Sequence, residues 1–127
     1  MANILDRLDL QNILSVGERA ARDAGSYLRQ MLGQAHIKRQ KAINDDLLDV
    51  DLEAERLILT RLHQETPELD ILSEETFPEA QSDHYWIVDP LDGSANFQHG
   101  TPLFAVAIAL VLNHTTAAGI IYLAYAR

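Results

Sequence analysis

Residues 103–112 form an unbroken run of ten apolar residues, and that run constrains the fold more than any other stretch. It is too short to cross a bilayer, which takes roughly 20 residues. Val106, Ile108 and Val111 favour a strand buried on both faces. Asn113, His114 and Thr115 then supply a turn, and residues 117–125 a partner strand. A chain with this hairpin at its centre has to cover it with something amphipathic.

The first half supplies the cover. In residues 3–34, Ile4, Leu5, Leu8, Ile13, Val16, Ala20, Ala24, Leu28 and Leu32 recur at three- and four-residue steps. That spacing predicts one long helix, with Gly33 as its stop. Residues 35–48 read as irregular and carry Lys38, Arg39 and Lys41. A second helix is expected over 50–65, with Leu52, Leu57, Ile58 and Leu62 inward and Pro67 ending it. Asp49 or Asp51 can cap it, and Glu53 and Glu55 suit the positive end of its dipole. Residues 69–73 and 85–88 are short apolar runs bounded by polar residues, hence strands. The expected architecture is α+β: two helices on one face of a mainly antiparallel sheet. The last strand reaches Arg127 with nothing to cover its far side, so the chain reads as the first part of a larger fold.

Charge narrows the function. The chain has 127 residues, no Cys, and a net charge of −9. There is thus no disulfide framework, thiol nucleophile or thiolate metal site. Residues 44–92 hold 15 acidic and 2 basic side chains. That balance argues against nucleic-acid or anionic-membrane binding, which needs a basic patch. No secretory signal follows Met1, so the cytoplasm is the expected location. Crowded carboxylates either form a solvated face or converge on cations.

Residues 89–97, Asp-Pro-Leu-Asp-Gly-Ser-Ala-Asn-Phe, are the densest signal. A strand would deliver Asp89, Pro90 would stiffen the turn, and Asp92 could face the same cavity as Asp89. Gly93 and Ser94 would open a helix whose free N–H groups suit a phosphate. Two hard-oxygen carboxylates beside an anion cradle suit Mg²⁺ with a phosphate ester. The plainer reading is an Asp-Pro/Asp-Gly turn that caps a helix. Glu74 and Glu75 follow the 69–73 strand, where adjacent side chains point to opposite sides and one can reach inward. Alone, they read as a solvated pair, and Asp51 alone reads as an N-cap. His36, His63, His84, His99 and His114 lack metal-ligand spacing.

Taken together, residues 86–99, Glu74-Glu75 and Asp51 with Glu55 one turn on resemble the inositol monophosphatase family of Mg²⁺-dependent, lithium-sensitive phosphatases. The resemblance is strong from about Leu48 to Tyr125. Two departures stand out. Leu48 and Asp49 lie where the family usually has a Thr, and the family's second signature, a Trp-Asp-x-Ala-Ala-like motif, is absent. The implied fold is the family's layered α/β sandwich, with residues 1–127 as its N-terminal metal- and phosphate-binding portion.

The resemblance also implies roles. Glu74 would bind a first Mg²⁺ and orient the attacking water. Asp89 would bridge two metal ions, the Leu91 carbonyl would bind the first, and Asp92 would bind the second and contact the substrate alcohol. Ser94, where the family commonly has Thr, would position the water with Asp51. The N–H groups of Gly93, Ser94 and Ala95 would hold phosphate. The implied reaction is hydrolysis of a phosphate monoester by metal-activated water, and Asn96-Phe97 favours inositol monophosphate or a related polyol or sugar phosphate. The implied partners are a small phosphate ester and, for a longer parent, a second copy in a homodimer, with no nucleic acid or membrane. The competing expectations are a non-catalytic interaction module and a small metal- or phosphate-binding domain on the same fold.

Overall fold

The computed structural model describes residues 9–42, 45–73, 79, 82–123 and 125. Helix α1 spans Leu10–Met31 and starts on Asp9, whose carboxylate accepts the Asn12 N–H at 3.3 Å. Its buried stripe is Ile13, Val16, Ala20, Ala24 and Leu28, widened by Gly17, Ala21 and Gly25. The expected extension of this helix back to residue 3 lies outside the described residues. Helix α2 spans Asp49–Glu65 and buries Val50, Ala54, Ile58 and Leu62. Leu52, expected inward, is exposed, and Leu57 is only half-buried. The reason is a shift of the buried stripe: Asp51 and Glu55 take inward positions that a hydrophobicity pattern gives to Leu. Arg61 ties α2 to α1 by donating to Asp23 at 2.5 Å, and it also donates to Glu65 on its own helix at 2.7 Å.

Residues 35–48 are not irregular. Strands β1 (Ile37–Ala42) and β2 (Asp45–Leu48) pair as an antiparallel hairpin. Its polar sequence lacks the alternation that signals a half-buried strand, and the hairpin is held from outside. Asp49 accepts the His36 N–H at 2.7 Å, and its own N–H donates to the His36 carbonyl at 2.8 Å. Gln98 donates to Asp46 at 3.2 Å from the other side.

The main sheet runs β3 (Asp70–Ser73), β4 (His84–Asp92), β5 (Ala105–Leu112), β6 (Thr115–Leu123) in that order. β3 and β4 are parallel, and the other two pairings are antiparallel. β4 is longer than its apolar core suggested. Asp89 pairs with Ala107 and Asp92 with Ala105, so three steps on β4 match two on β5. That extra residue is a β-bulge at Pro90-Leu91, a place where a residue without an N–H does no harm. Asn113 and His114 have φ of 54° and 62°, the left-handed pair that a two-residue hairpin turn requires.

One face of the sheet packs under the helices. Trp86, Val88, Val106, Ile108 and Leu110 are buried there with α1 and α2. Trp86 donates to the Thr66 hydroxyl at 3.0 Å, so its indole N–H is satisfied in the core. The opposite face carries Ile87 at 38 % and Ile121 at 72 % exposure. No helix among the described residues is long and apolar enough to cross a membrane.

Candidate active site

The carboxyl ends of β3 and β4, the start of α2 and the start of a short helix, α3 (Ser94–Gln98), meet around a cavity of about 410 Å³. Asp51, Glu55, Ser73, Asp89, Leu91, Ser94 and Lys41 all line it. Three carboxylates and one lysine thus line a partly apolar chamber, Asp89 from an exposed position that also borders the open face of the sheet.

Asp51 sits at the third position of α2 and is 8 % exposed. Its Oδ2 accepts the Leu48 N–H at 2.8 Å, the bond of a helix-starting carboxylate. Its Oδ1 lies 3.2 Å from the Ser94 hydroxyl. The capping role and the site role are therefore served by two oxygens of one side chain. Burial pushes the Asp51 carboxyl above its ordinary range. The Leu48 N–H, the Ser94 hydroxyl and the Lys41 charge pull it down, and the nearby Asp89 carboxylate pushes it up again.

Ser94 Oγ is also 3.2 Å from the Leu91 carbonyl. A hydroxyl has one proton, so it donates to Asp51 or to Leu91, and its lone pairs remain to accept from a third group. Gly93 makes this placement possible. Its φ is 94°, and a Cβ there would lie 3.0 Å from the Leu103 carbonyl. The Phe97 N–H closes the first turn of α3 on the Gly93 carbonyl at 3.0 Å, and Phe97 stacks edge-on against Phe104 beneath.

Sequence expectations meet this geometry unevenly. Asp51, Asp89, Leu91 and Ser94 line one cavity. Asp92 ends β4 exposed and does not line the cavity, and neither Gly93 nor Ala95 does. Glu74 and Glu75 lie outside the described residues. Lys41 and Ser73 line the cavity without having been assigned a role from sequence, and Glu55, read there as a helix-dipole residue one turn on from Asp51, lines it too. The four-residue step from Asp51 to Glu55 was a readable signal, since it places both on one helix face. Lys41 had none, because its hairpin was not legible.

Apart from Lys41, whose ammonium is not a ligand, the polar lining offers oxygen alone: carboxylates, a carbonyl and hydroxyls, without His or Cys. That chemistry fits a hard cation such as Mg²⁺. Among the described residues, no three Asp, Glu or His side chains group closely enough to hold an ion by themselves. Glu74 follows Ser73 directly in the chain, as the ligand expected to add to Asp89.

Helices layered on a mainly antiparallel sheet, with an acidic, oxygen-lined chamber at the strand ends, define the class: an α+β fold built around a polar pocket beside an Asp-Pro-Leu-Asp-Gly-Ser turn. The chain belongs to the inositol monophosphatase family, whose model matches residues 9–127. An inositol-1-monophosphatase of Mesorhizobium japonicum is 40% identical over 114 residues, covering 87% of this chain and 43% of that protein. A protein named Nus factor SuhB, from Haemophilus influenzae, is 37% identical over the same shares. Among solved structures, the extragenic suppressor protein SuhB of Bartonella henselae superposes with a TM-score of 0.78 at 38% identity, covering 88% of this chain and 44% of that one. An IMPase of Thermotoga maritima gives 0.81 at 29% identity, covering 87% and 44%. The chain therefore spans less than half the length of the relatives it matches.

Proposed function

We propose that this chain is the N-terminal, cation- and phosphate-binding part of a Mg²⁺-dependent phosphomonoesterase acting on inositol monophosphate or a related polyol or sugar phosphate. The observation that carries the reading is the Ser94 hydroxyl, held 3.2 Å from both Asp51 and the Leu91 carbonyl at the edge of a cavity shared with Asp89. Glu74, Asp89, the Leu91 carbonyl and Asp92 are the residues that would hold Mg²⁺. When bound, the metal supplies a more acidic water and an electrophile for the oxygens of the ester. Ser94 donates to Asp51 Oδ1 and presents a lone pair to the attacking water, fixing its direction. Asp51 is the acceptor for the proton that this water releases. The N–H groups of Gly93, Ser94 and Ala95 receive the phosphate oxygens.

The test is Mg²⁺-dependent phosphate release from inositol monophosphate, measured on a protein that carries this segment together with the C-terminal half found in its relatives. Asp89→Asn is expected to lower the rate about 100-fold, since Asp89 would be one of the carboxylates holding the metal. A rate indifferent to that change contradicts the reading. The 127-residue chain alone is expected to be nearly inactive. A second reading, an interaction module on a phosphatase-like fold, is favoured by the similarity to proteins named Nus factor SuhB. Under it, Asp89→Asn leaves the biological role intact.

A further inference from the structure

Ser73 ends β3 with its hydroxyl buried and, among the described side chains, without a hydrogen-bond partner. The residue is 2 % exposed. Its β4 partner in the register is Val88, so it shares the helix-covered face with Val88 and stands one residue before the level of Asp89. It lines the same cavity as Asp51, Glu55 and Asp89.

Buried hydroxyls are almost always partnered, because an unmade hydrogen bond leaves the full desolvation cost uncompensated. An Ala or Val would fill this strand position without that cost. Among the described residues nothing supplies that partner, and the hydroxyl is open to one from the contents of the cavity. The surroundings say which kind. Three carboxylates outnumber the single Lys41 in the chamber lining, so the net charge there favours a cation over a phosphate oxygen. A water already polarised by a cation is instead a strong donor, attracted by the carboxylates, and Mg²⁺ keeps several such waters.

We propose that Ser73 is a positioning residue for the cation of this cavity, its Oγ accepting a hydrogen bond from a cation-bound water. This rests on the cation-binding reading above. Ser73 touches neither the metal nor the phosphate. It fixes one water of the hydration shell, and through it the place of the ion relative to Asp89.

The experiment is calorimetric titration of the 127-residue chain with MgCl₂, alongside thermal melts in EDTA. Ser73→Ala, Ser73→Thr and Asp89→Asn are compared with the wild type. Ser73→Ala is expected to bind Mg²⁺ about tenfold more weakly, the usual cost of losing an outer partner of a metal site. Its melting temperature in EDTA should stay level or rise, since it removes a buried group that lacks a partner. Ser73→Thr keeps the hydroxyl and should bind as the wild type does. Wild-type affinity in Ser73→Ala overturns the proposal if Asp89→Asn still abolishes binding. A lowered melting temperature with weakened binding in both Ser73 variants also overturns it, because that pattern is packing. If the wild type shows no Mg²⁺ binding sensitive to Asp89→Asn, the cation-binding reading falls, and the role of Ser73 falls with it.

Discussion

Asp51 shows how one side chain can belong to the fold and to the chemistry. Its two oxygens face different ways, one to the start of α2 and one to Ser94. Its carboxyl binds a proton more tightly in the folded chain than in the unfolded one, because burial and Asp89 outweigh its donors and Lys41. The stability it contributes is therefore fully present below the ordinary value of 3.8 and is lost as pH rises through the higher folded value. Asp51→Asn removes this loss. In metal-free denaturant titrations, the variant should gain stability relative to the wild type as pH rises across that window. A difference independent of pH would contradict the burial account. Asp49, two residues earlier, behaves oppositely. Burial would raise it, but the hydrogen bonds from His36 and Val50 prevail and lower it. Its contribution is present above the ordinary range and lost as pH falls through the lower folded value. Both Asp residues were visible in the sequence as helix-start candidates. Which of them turns into the cavity was legible only through the family resemblance, which assigned Asp51, because a carboxylate at either position satisfies the same local rule.

At the scale of elements, the legible parts were those with a strong period. α1, the span of α2 and the 105–123 hairpin follow from patterns that local sterics enforce, whereas the buried stripe of α2 and the bulge in β4 were not read from them. The β1–β2 hairpin was not legible, because its partners are Asp49, thirteen residues from His36, and Gln98, fifty-two residues from Asp46. Such bonds leave no trace in a short window. The close packing of α1 on β6 is also invisible in a window, although its cause is two glycines. A Cβ on Gly17 would lie 2.6 Å from Ile120 Cδ1, and one on Gly25 would run into the Tyr122 ring. Gly25→Ala should therefore destabilise the chain by about 1–3 kcal/mol, despite the better helix propensity of Ala. Urea denaturation measures it. A more stable Gly25→Ala would show that α1 and β6 do not pack this closely.

For the molecule as a whole, one face of the sheet is a core and the other is open. Val106, Ile108 and Leu110 pack under the helices, whereas Ile87 and Ile121 face outward, next to the side of the site where Asp89 emerges. The chain covers 43% of the length of the Mesorhizobium japonicum phosphatase. The described residues line a chamber between α2, the ends of β3 and β4, and Ser94. Under the proposed function, this chamber, and no other acidic surface, is where a divalent cation binds. The direct measurement is paramagnetic broadening of backbone amide signals of the 127-residue chain by substoichiometric Mn²⁺, an oxygen-preferring stand-in for Mg²⁺. The broadening should centre on Ser73, residues 89–94 and Asp51, and should disappear in Asp89→Asn. Broadening spread over the exposed acidic residues of α2 and the hairpin, with residues 89–94 left sharp, would contradict it.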